Sequence, residues 1–207
     1  MRGSSAPTSE TGKRTKSSPA GVVDHPFNPV SLALGAEATF VARTVDMDRD
    51  HTMEILRRAY QHQGSAFIEI YQNCNVFNDK AFIAVTGREE RFHNRIDLEH
   101  GKPVVFGVDK EQGVTLEFGN ADIVYVQDVG IKAIHVHDEK DPDPSAAFAL
   151  SRLSHGPHGP TPLGTFRAVE RPTYDKALQH QLLDAQAQKG PGDLYELITQ
   201  TGTWTVE

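Results

Sequence analysis

The sequence predicts an α/β fold, and three observations carry that expectation. Ala38–Arg43 (ATFVAR) and Ala66–Tyr71 (AFIEIY) are apolar runs of strand length, and the segment between them carries apolar residues at helical spacing. Strand, helix and strand in that order make a βαβ unit, whose long crossover implies a parallel pair. After Phe82 the pattern changes to short β-rich runs, and the chain ends on two helical stretches.

In chain order, residues 1–31 are rich in Ser, Thr, Pro, Gly and Lys without either period, so they read as a flexible or extended arm. The cations Lys13, Arg14 and Lys16 are too few for a nucleic-acid tail and read as a solvated loop. The Met1-Arg-Gly-Ser4 start also has the form of a vector-derived leader. Residues 32–82 hold the βαβ unit. Its helix is capped by Asp48 or Asp50, carries Met53, Leu56, Ala59 and Tyr60 on its period, and ends near Gly64.

Residues 83–207 read as a hairpin and helical extension. Pro103–Val108, Val114–Phe118, Asp122–Val126 and Ile131–His137 are strand-like runs broken by Gly113, Gly119-Asn120 and Gly130. Asp143-Pro144-Ser145 opens a helix over Ala146–Leu153, and His155–Pro162 is dense in turn residues. Tyr174–Gln188 and Asp193–Gln200 read as helices, the second capped by Asp193 after the Lys189-Gly-Pro-Gly192 stop.

Composition narrows the function classes. The 207 residues suit one domain, or one plus a tail, and 38% hydrophobic with 24% charged residues is ordinary for a globular chain. With 21 Lys plus Arg against 28 Asp plus Glu, the net charge of −7 gives no reason to bind nucleic acid. No apolar run approaches the roughly 20 residues of a membrane span, and the N-terminus has no apolar signal core. The expected location is therefore cytoplasmic. A single cysteine excludes an internal disulfide and a Cys-rich zinc site.

Two places carry candidate chemistry. Cys74 lies among Gln72, Asn73, Asn75 and Asn78, directly after a predicted parallel strand, and strand C-termini are where α/β sheets place their sites. A buried, inert thiol and a nucleophile served by one of the ten histidines are both open from spacing alone. His135 and His137 are two apart, so a strand would turn both to one side, where Glu139 or His93 completes a metal site. The charged Asp138–Asp143 run beside them favours a solvent-facing pair instead. Gly192-Asp193 lacks the second glycine of a thiamine-diphosphate motif, and neither Gly-x-Gly-x-x-Gly nor a P-loop occurs.

Longer strings point to a family. Pro7-Thr-Ser-Glu10, Lys16-Ser-Ser-Pro19, Asp24-His-Pro-Phe-Asn-Pro29, Ser31–Arg43 and Glu69–Asp79 resemble the beta subunit of 2-oxoglutarate (2-oxoacid):ferredoxin oxidoreductases. Ala121–Val124, His135–Glu139 and Pro162–Arg167 resemble the same subunit's C-terminal part, so the likeness runs from about residue 6 to the end. It implies a partial thiamine-diphosphate-binding parallel-sheet domain with a β-rich and helical C-terminal extension. It also implies CoA-dependent oxidative decarboxylation of a 2-oxo acid, with electrons passed to ferredoxin. The implied cofactors are thiamine diphosphate, Mg²⁺ and a [4Fe–4S] cluster held by four cysteines, and Cys74 matches the fourth. Arg2 stands where the family has a lysine that helps recognise the substrate carboxylate, a role that arginine serves by a bidentate contact.

The family's Cys-x-x-Cys pair, third cysteine and Gly-Asp-Gly…Asn segment have no counterpart here. The chain is therefore expected to be a C-terminal fragment or split-gene half, inactive alone and prone to self-association. Its expected partners are an alpha subunit, ferredoxin and an N-terminal half subunit. Two rival expectations are an autonomous metal-binding module using His135 and His137, and a purely structural subunit in which Cys74 is inert.

Overall fold

Asn28 starts the first helix by accepting the Ser31 N–H at 3.0 Å, with Pro29 preset for the first turn of α1 (Pro29–Gly35). The computed structural model describes residues 8–16, 18–75, 79–153, 159–202 and 204, which fall into two compact units divided between Glu170 and Arg171. In the first unit α1 leads into β1 (Phe40–Val45), buried along its whole length. Then come α2 (Arg49–Gln61) and β2 (Ala66–Tyr71). β2 pairs parallel with β1 in the register Phe40↔Ala66 through Val45↔Tyr71, which is the expected βαβ unit.

Asp48 is the residue that caps α2. Its carboxylate accepts the His51 N–H at 3.1 Å and pairs with Arg95 at 2.7 Å. Asp48→Ala is expected to cost about 1 kcal/mol of stability, the size of a lost helix cap, read as a lower urea midpoint at unchanged slope. The helical period is as expected, but the buried face differs. Ile55 and Ala59 pack on Phe40, Ala42 and Ile68, whereas Met53, Leu56 and Tyr60 form a second stripe facing outward, with Tyr60 90% exposed.

Two single-turn helices, α3 (Ile83–Thr86) and α4 (Arg91–Asn94), lead to β3 (Arg95–Leu98). β4 (Val105–Phe106), β5 (Gln112–Glu117) and β6 (Asn120–Tyr125) form an antiparallel three-stranded meander, as expected. Its tight turn places Phe118 and Gly119 at φ +49° and +80°, the left-handed pair that closes a two-residue hairpin. After α5 (Val126–Val129) the chain departs from expectation: Ile131–Ala133 is a 3-10 turn rather than strand. Only the residues after it run extended. His135 N–H donates to Val114 O at 2.8 Å, and His137 N–H to Lys102 O at 3.0 Å.

Helix α6 (Ser145–Ser151) begins after Asp143, which accepts from the Ser145 N–H and hydroxyl, as the sequence suggests. Strand β7 (Thr161–Ala168) starts inside the stretch read as turn-dense, of which residues 155–158 lie outside the described residues. β7 completes a four-stranded sheet in the order β2-β1-β7-β3. It runs antiparallel to β1 and parallel to β3, so two parallel pairs are joined through one antiparallel contact. One face packs Val30, Leu34, Val41, Ile96, Leu150 and Phe166, and the other packs on α2.

The second unit contains α7 (Tyr174–Lys189) and α8 (Leu194–Thr199), the latter capped by Asp193 as expected. No described residue of either helix is buried. No helix among the described residues is long and apolar enough to cross a membrane.

Candidate functional site at the C-terminal end of the parallel pair

The loop after β2 is held at its base by aromatic packing. Tyr71, the last residue of β2, stacks on Phe82 with ring centroids 4.2 Å apart and planes 11° apart. Both rings pack against Val45, Val85 and Leu163, so the loop's two ends rest on the core. The Arg43 guanidinium lies 5.2 Å from the Tyr71 ring and 5.3 Å from that of Phe166. Its Nε donates to Glu69 across the β1–β2 pair at 2.6 Å.

Inside this base, Asn73 bonds in three directions. Its backbone N–H donates to Asp46 Oδ2 at 3.2 Å, and its Oδ1 accepts the Lys80 N–H at 2.8 Å. Its Nδ2 donates to Asn75 at 2.7 Å and to Asp79 at 3.0 Å. Lys80 is held at φ +62°, a left-handed conformation that a non-glycine residue adopts under constraint. Cys74, the chain's one thiol, is half-buried at the start of this loop. Arg2 lies outside the described residues.

The histidine pair is not solvent-facing. His137 is only 2% exposed, and its Nε2–H donates to Thr165 O at 2.7 Å, because its side of the extended segment turns onto β7. His135 stands 6.4 Å from it, ring to ring, with its Nε2 buried and unpartnered among the described residues. Glu139 is engaged by Arg58 at 2.7 Å. Among the described residues no group of three or more His, Cys, Asp or Glu suits a metal ion.

A cleft of about 410 Å³ between α2, β3 and β7 escaped sequence reasoning, since its walls come from four distant stretches. Arg58 and Arg95 line it, but Glu139 takes the first and Asp48 and Asp97 the second, so the ion pairs are internal. His51 also lines it and shares a 2.7 Å hydrogen bond with the Thr44 hydroxyl. Burial, then the nearby Arg95 cation, push the His51 imidazole below its ordinary value.

Burial likewise lowers His62, His135 and His137. Between the depressed folded values and the unfolded value near 6.5 the unfolded state binds more protons. The stabilisation is therefore complete above pH ~6.5 and lost as pH falls through the folded values. We expect the melting temperature to be level above that point and to fall below it. Replacing His137 with Gln should remove about one proton from the slope, a difference that thermal scans across the window would measure.

Three comparisons bear on this geometry. Residues 1–70 match the family described as the thiamine pyrophosphate enzyme C-terminal TPP binding domain. The 2-oxoglutarate oxidoreductase subunit KorB of Mycobacterium tuberculosis is 49% identical over the whole chain, which covers 56% of that subunit. The chain is a relative of the 2-oxoacid:ferredoxin oxidoreductase beta subunits. A beta subunit of this family from Saccharolobus solfataricus is 38% identical over 78 residues, 38% of this chain and 26% of that subunit. A 2-oxoglutarate:ferredoxin oxidoreductase from Magnetococcus marinus, solved with 2-oxoglutarate, coenzyme A and succinyl-CoA, superposes with a TM-score of 0.62 at 20% identity. That superposition covers 98% of this chain and 54% of that one, and it shows the fold. The chain thus spans about half the length of the mycobacterial beta subunit, and the α/β reading of the sequence agrees with this family.

Proposed function

We propose that this chain works as part of a 2-oxoacid:ferredoxin oxidoreductase beta subunit. The reaction is CoA-dependent oxidative decarboxylation of 2-oxoglutarate or a similar 2-oxo acid, with ferredoxin as electron acceptor. An alpha subunit and the family's N-terminal half complete the cytoplasmic complex. The observation that carries this reading is the placement of the one thiol, in a polar loop at the C-terminal end of a parallel pair, where α/β sheets build their sites.

The donor set limits what this chain gives. A four-iron cluster takes four thiolates; Cys74, the one cysteine of these 207 residues, suits one of those places. No described group of carboxylates and histidines suits Mg²⁺, so no residue here is assigned to it. Thiamine diphosphate, when bound, supplies the carbanion stabilisation that decarboxylation needs. Arg2 is assigned to the carboxylate of the substrate. The chain's own work is to present Cys74 from a rigid base and to supply the sheet on which the complex closes.

The purified chain with thiamine diphosphate, CoA and 2-oxoglutarate should give no viologen reduction, and adding the N-terminal half and alpha subunit should restore it. Robust reduction by the chain alone would overturn the proposal.

A further inference from the structure

We propose that Asn73 is a positioning residue for Cys74, closing the loop that carries the thiol and fixing where the thiol stands. The inference rests on the reading of Cys74 as a cluster ligand, but its test does not. Three observations converge on it. The Tyr71–Phe82 stack ties the two limbs of the loop to the core, which fixes the base but not the polar segment beyond it. Within that base the Asn73 carboxamide spans from one limb to the other, reaching the Lys80 N–H and the Asp79 carboxylate. It thereby ties the residue before Cys74 to residues five and six places after it. No other described side chain makes both of these links with one group.

The third observation is Asp46, which follows β1. One carboxylate oxygen takes the Asn73 N–H, while the other, Oδ1, is shielded from solvent with no hydrogen-bond partner among the described residues. An orphaned buried carboxylate oxygen is costly, and native structures keep such groups where a site needs them or a bound donor satisfies them. Asn73 is thus gripped from below by Asp46 and grips the loop above, so the register of Cys74 against the end of the sheet is set by this one residue. A thiolate ligand must meet its metal within a few tenths of an ångström, and such precision requires a loop held by surrounding hydrogen bonds.

The test uses the full chain and iodoacetamide, whose adduct is unambiguous because Cys74 is the only thiol. Alkylation rates are measured across the thiol titration for wild type, Asn73→Ala, Asn73→Asp, and the exchange Asn73→Asp with Asp79→Asn. The exchange restores the bond with donor and acceptor reversed. Loop opening in Asn73→Ala should raise the rate about 3- to 10-fold, the effect of one or two hydrogen bonds, and shift the midpoint of the pH profile. The exchanged pair should return both towards wild type, which a merely destabilised loop would not do. A wild-type profile for Asn73→Ala, or an exchange that leaves the profile at that of Asn73→Asp, overturns the proposal. Should Asn73→Ala fail to fold, the comparison of Asn73→Asp with the exchange decides alone. Cluster content of the assembled complex is read separately: unchanged iron in Cys74→Ser would remove the ligand reading and leave the alkylation result standing.

Discussion

Arg43→Ala is expected to cost about 3–5 kcal/mol of folding stability, the range for breaking a buried ion pair from one side. The Arg43 side chain is 1% exposed, bonds Glu69 at 2.6 Å and the Pro162 carbonyl at 3.3 Å, and lies against two aromatic rings. Alanine strands Glu69, whose side chain is 16% exposed, with no cation across the strand pair, and leaves a void beside Tyr71 and Phe166. Because Tyr71 also anchors the Cys74 loop, the loss should loosen that loop before the protein melts. Changing both partners to apolar residues, Arg43→Met with Glu69→Leu, should recover most of the loss, since the charge left behind is then gone. Urea denaturation of the two variants against wild type checks both statements. A single-variant loss below about 1 kcal/mol would mean the pair is solvated and unimportant.

Gly164→Ala should destabilise by about 2–4 kcal/mol, combining backbone strain with a steric clash. Gly164 sits in β7 at φ +117°, a conformation that L side chains rarely adopt. An added Cβ would also stand 2.7 Å from the Leu98 carbonyl oxygen of the paired strand β3. On its other side Gly164 pairs with Arg43 of β1, so the added Cβ stands in a strand paired on both edges. The expected result is frayed β3–β7 pairing, seen as faster amide exchange in Arg95–Leu98, with β1–β2 less affected. Equal protection in the variant and wild type would show that the strand tolerates a side chain.

These two sites also show where sequence reasoning stops. The βαβ unit was legible because its strands are apolar runs and its helix has a period and a cap, properties that need no knowledge of neighbours. β7 was not, because Pro162, Gly164, Thr165 and Arg167 look like a loop to any pattern rule. In the buried strand, distant groups bond the two polar side chains among them. Arg167 reaches Glu37, Ala38 O and Pro142 O, and Thr165 receives Arg58. The outward stripe of Met53, Leu56 and Tyr60 has the same period as the buried one, so periodicity finds the helix without finding its inner face.

The candidate site divides in the same way. Cys74 was visible as a lone thiol in polar company after a strand. The Asn73 clasp was not, since its partner Asp46 lies 27 residues away and meets it only when β1 and β2 align. The histidine pair was placed on one side of a strand, but which way that side faces depends on β7, the strand that sequence did not show.

Under the proposed function, Cys74 is the thiolate this chain contributes to the cluster. The direct measurement is iron and acid-labile sulfide per complex after anaerobic co-expression with a cognate N-terminal half and alpha subunit, for wild type and Cys74→Ser. A cluster present in the wild-type complex, and lost or reduced in iron in Cys74→Ser, is the predicted result. The same iron and sulfide in both would make the thiol structural and contradict its role as a cluster ligand.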